Sequence, residues 1–142
     1  MRGPQTTLYG SDAIGGVINI ITRKGKGKPK FSIYTEGGSH RTRKENFTLG
    51  GSGEKINYSF SLSRFETDGV SKAYNGSEKD AYENTSISSR LGYEILDDTE
   101  LSFTLRFTDA HTDLDDGRNE DDPNYIARWR NFASRIEFSQ AI

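Results

Sequence analysis

The stretch Ile56-Asn57-Tyr58-Ser59-Phe60-Ser61-Leu62-Ser63 decides the fold of this chain. Apolar side chains occupy every second position, and polar side chains fill the positions between them. Successive side chains of a β-strand point to opposite faces, so this period predicts a strand with one apolar and one wet face.

Five further segments repeat the same alternation. The clearest continues through Leu101, Phe103, Leu105 and Phe107, with Ser102, Thr104, Arg106 and Thr108 between them. The others are residues 31–35, 47–49, 85–95 and 131–138. Because antiparallel sheets commonly combine an apolar face with a solvated one, the chain predicts an all-β, antiparallel sheet of about six strands.

The links between these segments predict a membrane location. Residues 51–55 and 96–99 form short links, whereas residues 38–45, 67–81 and 112–124 form long polar ones. Outer-membrane barrels alternate short periplasmic turns with longer extracellular loops. Small soluble barrels fill their interior with apolar side chains, so we expect the apolar face to meet lipid instead. The wet face would then line a lumen; it includes Ser59, Ser61, Ser63, Thr104 and Arg106.

The composition excludes several other classes. The 142 residues are only 32% hydrophobic, carry a net charge of −2 and include no cysteine. Disulfides and thiolate metal sites are therefore excluded, and no nucleic-acid partner is expected. No apolar run approaches the roughly 20 residues of a membrane helix. No apolar leader follows Met1, so an exported form is expected to begin further upstream.

The first 22 residues carry a glycine-punctuated motif. It contains Arg2-Gly3-Pro4, Leu8-Tyr9-Gly10 and Gly15-Gly16-Val17-Ile18-Asn19-Ile20-Ile21-Thr22. This motif resembles the end of the plug domain of TonB-dependent outer-membrane receptors. The local order Tyr9 to Gly16 is most similar to the vitamin B12 transporter branch, and siderophore receptors carry near-identical versions.

The resemblance implies a domain order and a transport function. Residues 1–24 would be the C-terminal end of the plug, residues 25–30 a solvated basic linker, and residues 31–142 about six strands of a 22-stranded transmembrane β-barrel. The implied function is active uptake of a scarce ligand, cobalamin or a ferric siderophore, across the bacterial outer membrane. The implied partners are the TonB complex, outer-membrane lipid and lipopolysaccharide. No catalysis and no required cofactor are expected.

Most of the motif residues are expected to hold the plug together rather than to touch the ligand. Glycines would allow tight turns inside a crowded lumen. This structural set comprises Arg2, Gly3, Pro4, Leu8, Tyr9, Gly10, Gly15, Gly16 and Asn19.

An acidic cluster after the fifth segment is a candidate calcium site, because Ca²⁺ takes several carboxylate oxygens on a flexible loop. Its members are Asp113, Asp115, Asp116, Asp121 and Asp122. Gly117 comes one position too early for an EF-hand, and a solvated extracellular loop is the alternative. His111 lies between Asp109 and Asp113, which permits an acid/base interpretation, but a loop histidine among acids is the favoured explanation.

Other interpretations remain open at this point. A soluble antiparallel β-domain that binds carbohydrate or protein explains the alternation but not the N-terminal motif. An outer-membrane barrel enzyme would require a catalytic set beyond His111. Arg41, Arg43 and Lys44 are placed in the first extracellular loop, where they could contact lipopolysaccharide phosphates or an anionic ligand.

Overall fold

The computed structural model describes residues 22–70, 79–114 and 125–140. These residues form six β-strands in one sheet, with the spatial order identical to the chain order. The strands are β1 (Lys30–Gly37), β2 (Arg43–Ser52), β3 (Ile56–Thr67), β4 (Tyr82–Leu96), β5 (Thr99–Asp113) and β6 (Ile126–Gln140). The prediction of an all-β antiparallel sheet is confirmed. Within the described ranges, no helix is long and apolar enough to cross a membrane.

Each strand pairs antiparallel with the next, and the pairing keeps like faces together. Phe47 lies opposite Leu62, and Leu91 lies opposite Phe103. Directly opposed residues point to the same side of a sheet, so the apolar positions of all six strands share one face. The wet positions share the other face.

The turns agree with the predicted links at two places and differ at a third. Residues 53–55 join β2 to β3, and residues 97–98 join β4 to β5. Asp98 has φ 67° in this two-residue turn, which fits the positive φ that tight hairpins require. Five residues, 38–42, join β1 to β2, so the prediction of a long first link was wrong.

The first link is short because Arg43 and Lys44 belong to β2. They lie opposite Glu66 and Phe65 of β3, and the charge match across the strands favours continued pairing. The prediction that these two residues lie in a loop was therefore wrong, whereas Arg41 does lie in the turn. Similarly, Thr112 and Asp113 extend β5 rather than beginning the next loop.

The segment before β1 crosses the wet face of the sheet. Ser59 Oγ donates to the Arg23 carbonyl at 2.7 Å, and Gly27 N donates to Ser52 Oγ at 2.8 Å. Gly25 is buried against the backbone of β2 and β3, where a Cβ would collide with the carbonyl oxygens of Gly51 and Tyr58. Glycine is thus the residue that allows this close approach. The predicted linker is in contact with the sheet, and its last residue, Lys30, begins β1.

The described residues form a single layer without a hydrophobic core. None of them has a fully buried side chain, and many large apolar side chains are exposed. A soluble domain would cover such a face with a second layer. Phe60, Leu62, Phe103 and Leu105 are therefore not enclosed in the sealed apolar centre that a soluble barrel would have.

Candidate functional site

The apolar face carries a continuous band of exposed hydrophobic side chains. Phe31 is 73% exposed and Ile136 is 74% exposed, at opposite edges of the sheet. Phe47 and Phe60 are in tilted ring contact on the same face, with centroids 6.2 Å apart. The band also includes Ile33, Leu62, Leu91, Leu101, Phe103, Phe132 and Phe138. An exposed patch of this extent is rare in soluble monomers and marks a surface that meets a membrane or another protein.

A charged belt borders this band at the ends of the strands that meet the longer links. We define the charged belt as Arg43, Glu45, Arg64, Glu66, Asp109, Arg128 and Arg130. Asp109 accepts from Arg128 Nη2 at 2.8 Å and from Arg130 Nε at 2.9 Å, and Arg64 pairs with Glu66 at 3.0 Å. Exposed pairs contribute little to stability, so the belt chiefly marks where the apolar band ends.

The wet face carries a polar network around Glu100. Its carboxylate accepts from Arg90 Nη2 at 2.8 Å and from Asn57 Nδ2 at 3.0 Å, and it also pairs with Lys24. The side chains of Arg90 and Glu100 are only 17% and 12% exposed. This network joins the segment before β1 to three neighbouring strands, so it fixes the path of the chain across the wet face.

Two turns on the long-link side are joined by Asp68. Its carboxylate accepts from Arg41 Nε at 2.6 Å and from Lys79 Nζ at 2.9 Å. The hydrogen bond from Lys79, together with the bond and charge of Arg41, holds the pKa of Asp68 below its usual range. Asp68 N also donates to the His40 carbonyl at 2.9 Å. Arg41 Nε is thus occupied in an ion pair, while the Arg41 side chain remains 80% exposed; its contact with an anionic ligand stays a prediction.

The candidate calcium residues are only partly described. Asp113 lies at the end of β5, and its Oδ1 is 3.2 Å from His111 Nε2. Asp115, Asp116, Asp121 and Asp122 lie outside the described residues. Within the described ranges, no group of three or more carboxylates and imidazoles is placed to hold a metal ion. The calcium site therefore stays a prediction.

The plug motif also lies outside the described residues. The positions concerned are Arg2, Gly3, Pro4, Leu8, Tyr9, Gly10, Gly15, Gly16 and Asn19. Their predicted structural role stays a prediction.

Sequence reasoning missed the network around Glu100. Lys24 and Glu100 are 76 positions apart along the chain, and only the strand register brings the members of the network together. One signal was available: Asn57, Arg90 and Glu100 all occupy wet-face positions close to the short turns. The register of the hairpins places them around Gly92, which lies opposite Asn57 and Ser102 and has no side chain to separate Arg90 from Glu100.

Comparison with known proteins gives a consistent set of relatives. The chain is 30% identical to a vitamin B12 transporter of Photobacterium profundum over 98% of its own length and 23% of that protein. It is 40% identical over 57 residues to the ferrienterobactin receptor of Escherichia coli, covering 36% of the chain and 8% of the receptor. It is 88% identical over 24 residues to an iron-regulated outer membrane virulence protein of Vibrio cholerae, covering 17% of the chain and 4% of that protein.

The chain therefore spans less than a quarter of the length of these relatives. No protein-family model matches it, and no solved structure matches it significantly.

The described strands form one antiparallel sheet with an apolar face, a wet face and a charged belt at the border of the apolar band. This is the architecture of a wall segment of an outer-membrane β-barrel. The matched proteins are transporters and receptors rather than enzymes, which supports the prediction that the chain is not an enzyme. By these similarities the chain resembles the TonB-dependent outer-membrane receptors.

Proposed function

We propose that the chain contributes the end of the plug and the first barrel strands to an active transporter. In this proposal residues 1–24 end the plug, residues 25–30 link it to the barrel, and residues 31–142 begin a barrel of about 22 strands. The observation that carries the proposal is the opposite polarity of the two sheet faces. One face carries the apolar band, in which Phe31 and Ile136 are exposed, and the other carries the mostly buried polar network around Glu100.

The two edges of the sheet support assembly into a larger barrel. β1 and β6 each have one neighbour among the described strands. Unpaired backbone groups are not tolerated in the bilayer core, so membrane sheets close into barrels. Further strands of the receptor would pair with both edges, and the described sheet would not transport anything alone.

The transported ligand is proposed to be cobalamin or a ferric siderophore. One relative is named a vitamin B12 transporter and another a ferrienterobactin receptor. The TonB complex would supply the energy by rearranging the plug, through parts of the receptor outside this chain. A soluble domain that binds carbohydrate or protein is not favoured, because such a domain would have to cover the apolar band.

Uptake into cells tests this function. The gene for the receptor that contains this chain is deleted, and uptake of labelled cyanocobalamin and of labelled ferric siderophores is measured with and without TonB. We expect one ligand class to lose TonB-dependent uptake and to regain it on complementation. Unchanged uptake of both classes would contradict the proposal.

Lipid and lipopolysaccharide are proposed to surround the outward face. The apolar band would meet acyl chains, and the charged belt would lie at the level of the head groups. Arg128 and Arg130 share a single carboxylate, Asp109. This leaves one positive charge in excess at that point of the belt, which would favour an anionic head-group phosphate.

Calcium is proposed as an optional ligand of the loop after β5. Its donors would be Asp113, Asp115, Asp116, Asp121 and Asp122, and carboxylate oxygens suit this cation. Calorimetric titration of the intact receptor with CaCl₂ tests the proposal. Millimolar or tighter binding that Asp115→Asn with Asp116→Asn weakens would support it, and no binding would refute it.

A further inference from the structure

Three arginines of neighbouring strands surround one cavity on the wet face. The cavity has a volume of about 140 Å³, and Arg90, Arg106 and Arg135 contribute to its lining together with Thr22, Thr104 and one carboxylate, Glu137. Arg90 of β4 lies opposite Thr104 of β5, and Thr104 lies opposite Arg135 of β6. Arg106 follows Thr104 by two positions and so points to the same face. The three arginines therefore occupy neighbouring wet-face positions around Thr104, with the guanidinium of Arg90 directed toward Glu100 by their ion pair.

The positive charge of this cavity is only partly balanced. Arg90 pairs with Glu100 at 2.8 Å, and Arg135 pairs with Glu137 at 2.9 Å. Glu100 is shared with Lys24 as well. Within the described ranges, Arg106 has no ion pair. Cations held against a lipid-backed wall are poorly screened, so the cavity favours an additional negative group.

We propose that this three-arginine cavity binds a single oxyanion, either a carboxylate or a phosphate group. Arginine guanidinium groups bind both through charge-assisted, often bidentate hydrogen bonds. The Thr104 hydroxyl supplies one further donor. The inference deepens the proposed function, because it places an anion site on the wall of the proposed lumen.

The same chemistry has two sources. One is a soluble anion in the lumen. The other is the chain itself: Asp12 is the single carboxylate among residues 1–24, and the described chain begins at Thr22 on the rim of the cavity. The ten Cα-to-Cα steps from Asp12 to Thr22 span at most about 36 Å when fully extended, which is ample to reach the cavity.

The test uses the full receptor, purified in detergent and titrated with inorganic phosphate at constant ionic strength. If a soluble anion fills the cavity, the wild type binds phosphate and Arg106→Gln weakens binding by about tenfold or more, the loss expected for a hydrogen bond to a charged group. Arg64→Gln is the matched control, because Arg64 lies on the opposite face in the charged belt, and it leaves binding unchanged.

If Asp12 fills the cavity, the wild type binds no phosphate. Asp12→Asn then gains binding, and adding Arg106→Gln removes it again. The inference is overturned if neither the wild type nor Asp12→Asn binds phosphate, or if Arg106→Gln leaves the binding unchanged.

Folding is checked for each variant by its heat-modifiable migration. Where Arg106→Gln does not assemble, Arg106→Lys carries the test, because lysine keeps the charge but loses the planar fork. Phosphate binding by Arg106→Lys that is weaker than that of the parent protein, which keeps Arg106, supports the inference, and equal binding overturns it. The titration is independent of uptake, so its failure leaves the transport proposal standing.

Discussion

Arg90 donates from Nη2 to Oε1 of Glu100 across neighbouring strands at 2.8 Å. Both side chains are mostly buried, and the second carboxylate oxygen is occupied by Asn57 and Lys24. One carboxylate therefore satisfies donors from β3, β4 and the segment that precedes β1. Glu100 therefore holds the segment before β1 against the sheet, together with the hydrogen bonds of Ser59 and Ser52.

Replacing Glu100 with alanine should destabilise the receptor. Removing one partner of a buried ion pair leaves the other charge uncompensated and costs about 3 kcal/mol or more. We expect a clearly lower unfolding midpoint in denaturant, measured by loss of heat-modifiable migration. Glu54→Ala is the control, since Glu54 lies exposed in the turn between β2 and β3 and should change the midpoint little. Equal midpoints for the two variants would contradict this role.

A methyl group at Gly25 should lift the segment before β1 off the wet face of the sheet. The added Cβ would collide with backbone oxygens of Gly51 and Tyr58, which cannot move without disturbing β2 and β3. We expect faster tryptic cleavage after Lys24 and Lys26 in Gly25→Ala. Gly53→Ala serves as the control, because a Cβ there meets nothing within 4 Å. The same cleavage rate in both variants would show that the segment is not held against the sheet.

The ion pairs by which Asp68 joins Arg41 of the β1–β2 turn to Lys79 should weaken only in acid. Because the pKa of Asp68 is lowered in the folded state, its contribution is fully present above the ordinary aspartate pKa of about 3.9. It is lost as the pH falls through the lower folded value. We expect amide exchange of residues 38–42, corrected for intrinsic rates, to be equally protected at pH 7 and pH 5 and less protected near pH 3. Asp68→Asn should remove this difference; protection that falls between pH 7 and pH 5 would contradict the assignment.

The sheet faces should tolerate charge very differently. Lysine on the lipid face near the bilayer midplane costs about 2–4 kcal/mol, whereas lumenal substitutions cost little. Phe103→Lys should therefore lower the unfolding midpoint strongly. Ser88→Lys introduces the same side chain on the wet face of the adjacent strand and should lower it much less. A larger loss for Ser88→Lys would reverse the assignment of the faces.

The fold was predictable from the sequence because alternation is a local signal. Ile56 to Ser63 specify a strand and both of its faces without reference to the rest of the chain. The first turn was not predictable in the same way. Arg43 and Lys44 appear loop-forming on charge alone, and only their pairing with Glu66 and Phe65 of β3 places them in a strand.

The candidate site was predictable only in outline. The wet positions Thr104 and Arg106 were identified as lumen-facing, but neither the cavity nor the Glu100 network could be derived. Both depend on which residues of separate hairpins lie opposite one another, as Thr104 does with Arg90 and Arg135. Register is a tertiary property, and a shift of one residue would move every side chain to the other face.

The orientation of the sheet is the central claim, and quencher accessibility tests it most directly. The chain has no cysteine, so a single cysteine can be introduced once any cysteine elsewhere in the receptor has been replaced. A fluorescent label is attached to a cysteine at one of four positions, Phe103, Ile136, Ser61 or Ser88, and each labelled receptor is placed in bilayers. We expect lipid-attached quenchers to reach the labels at 103 and 136, and not those at 61 and 88. Quenching of positions 61 and 88 from the lipid, with 103 and 136 shielded, would contradict the account.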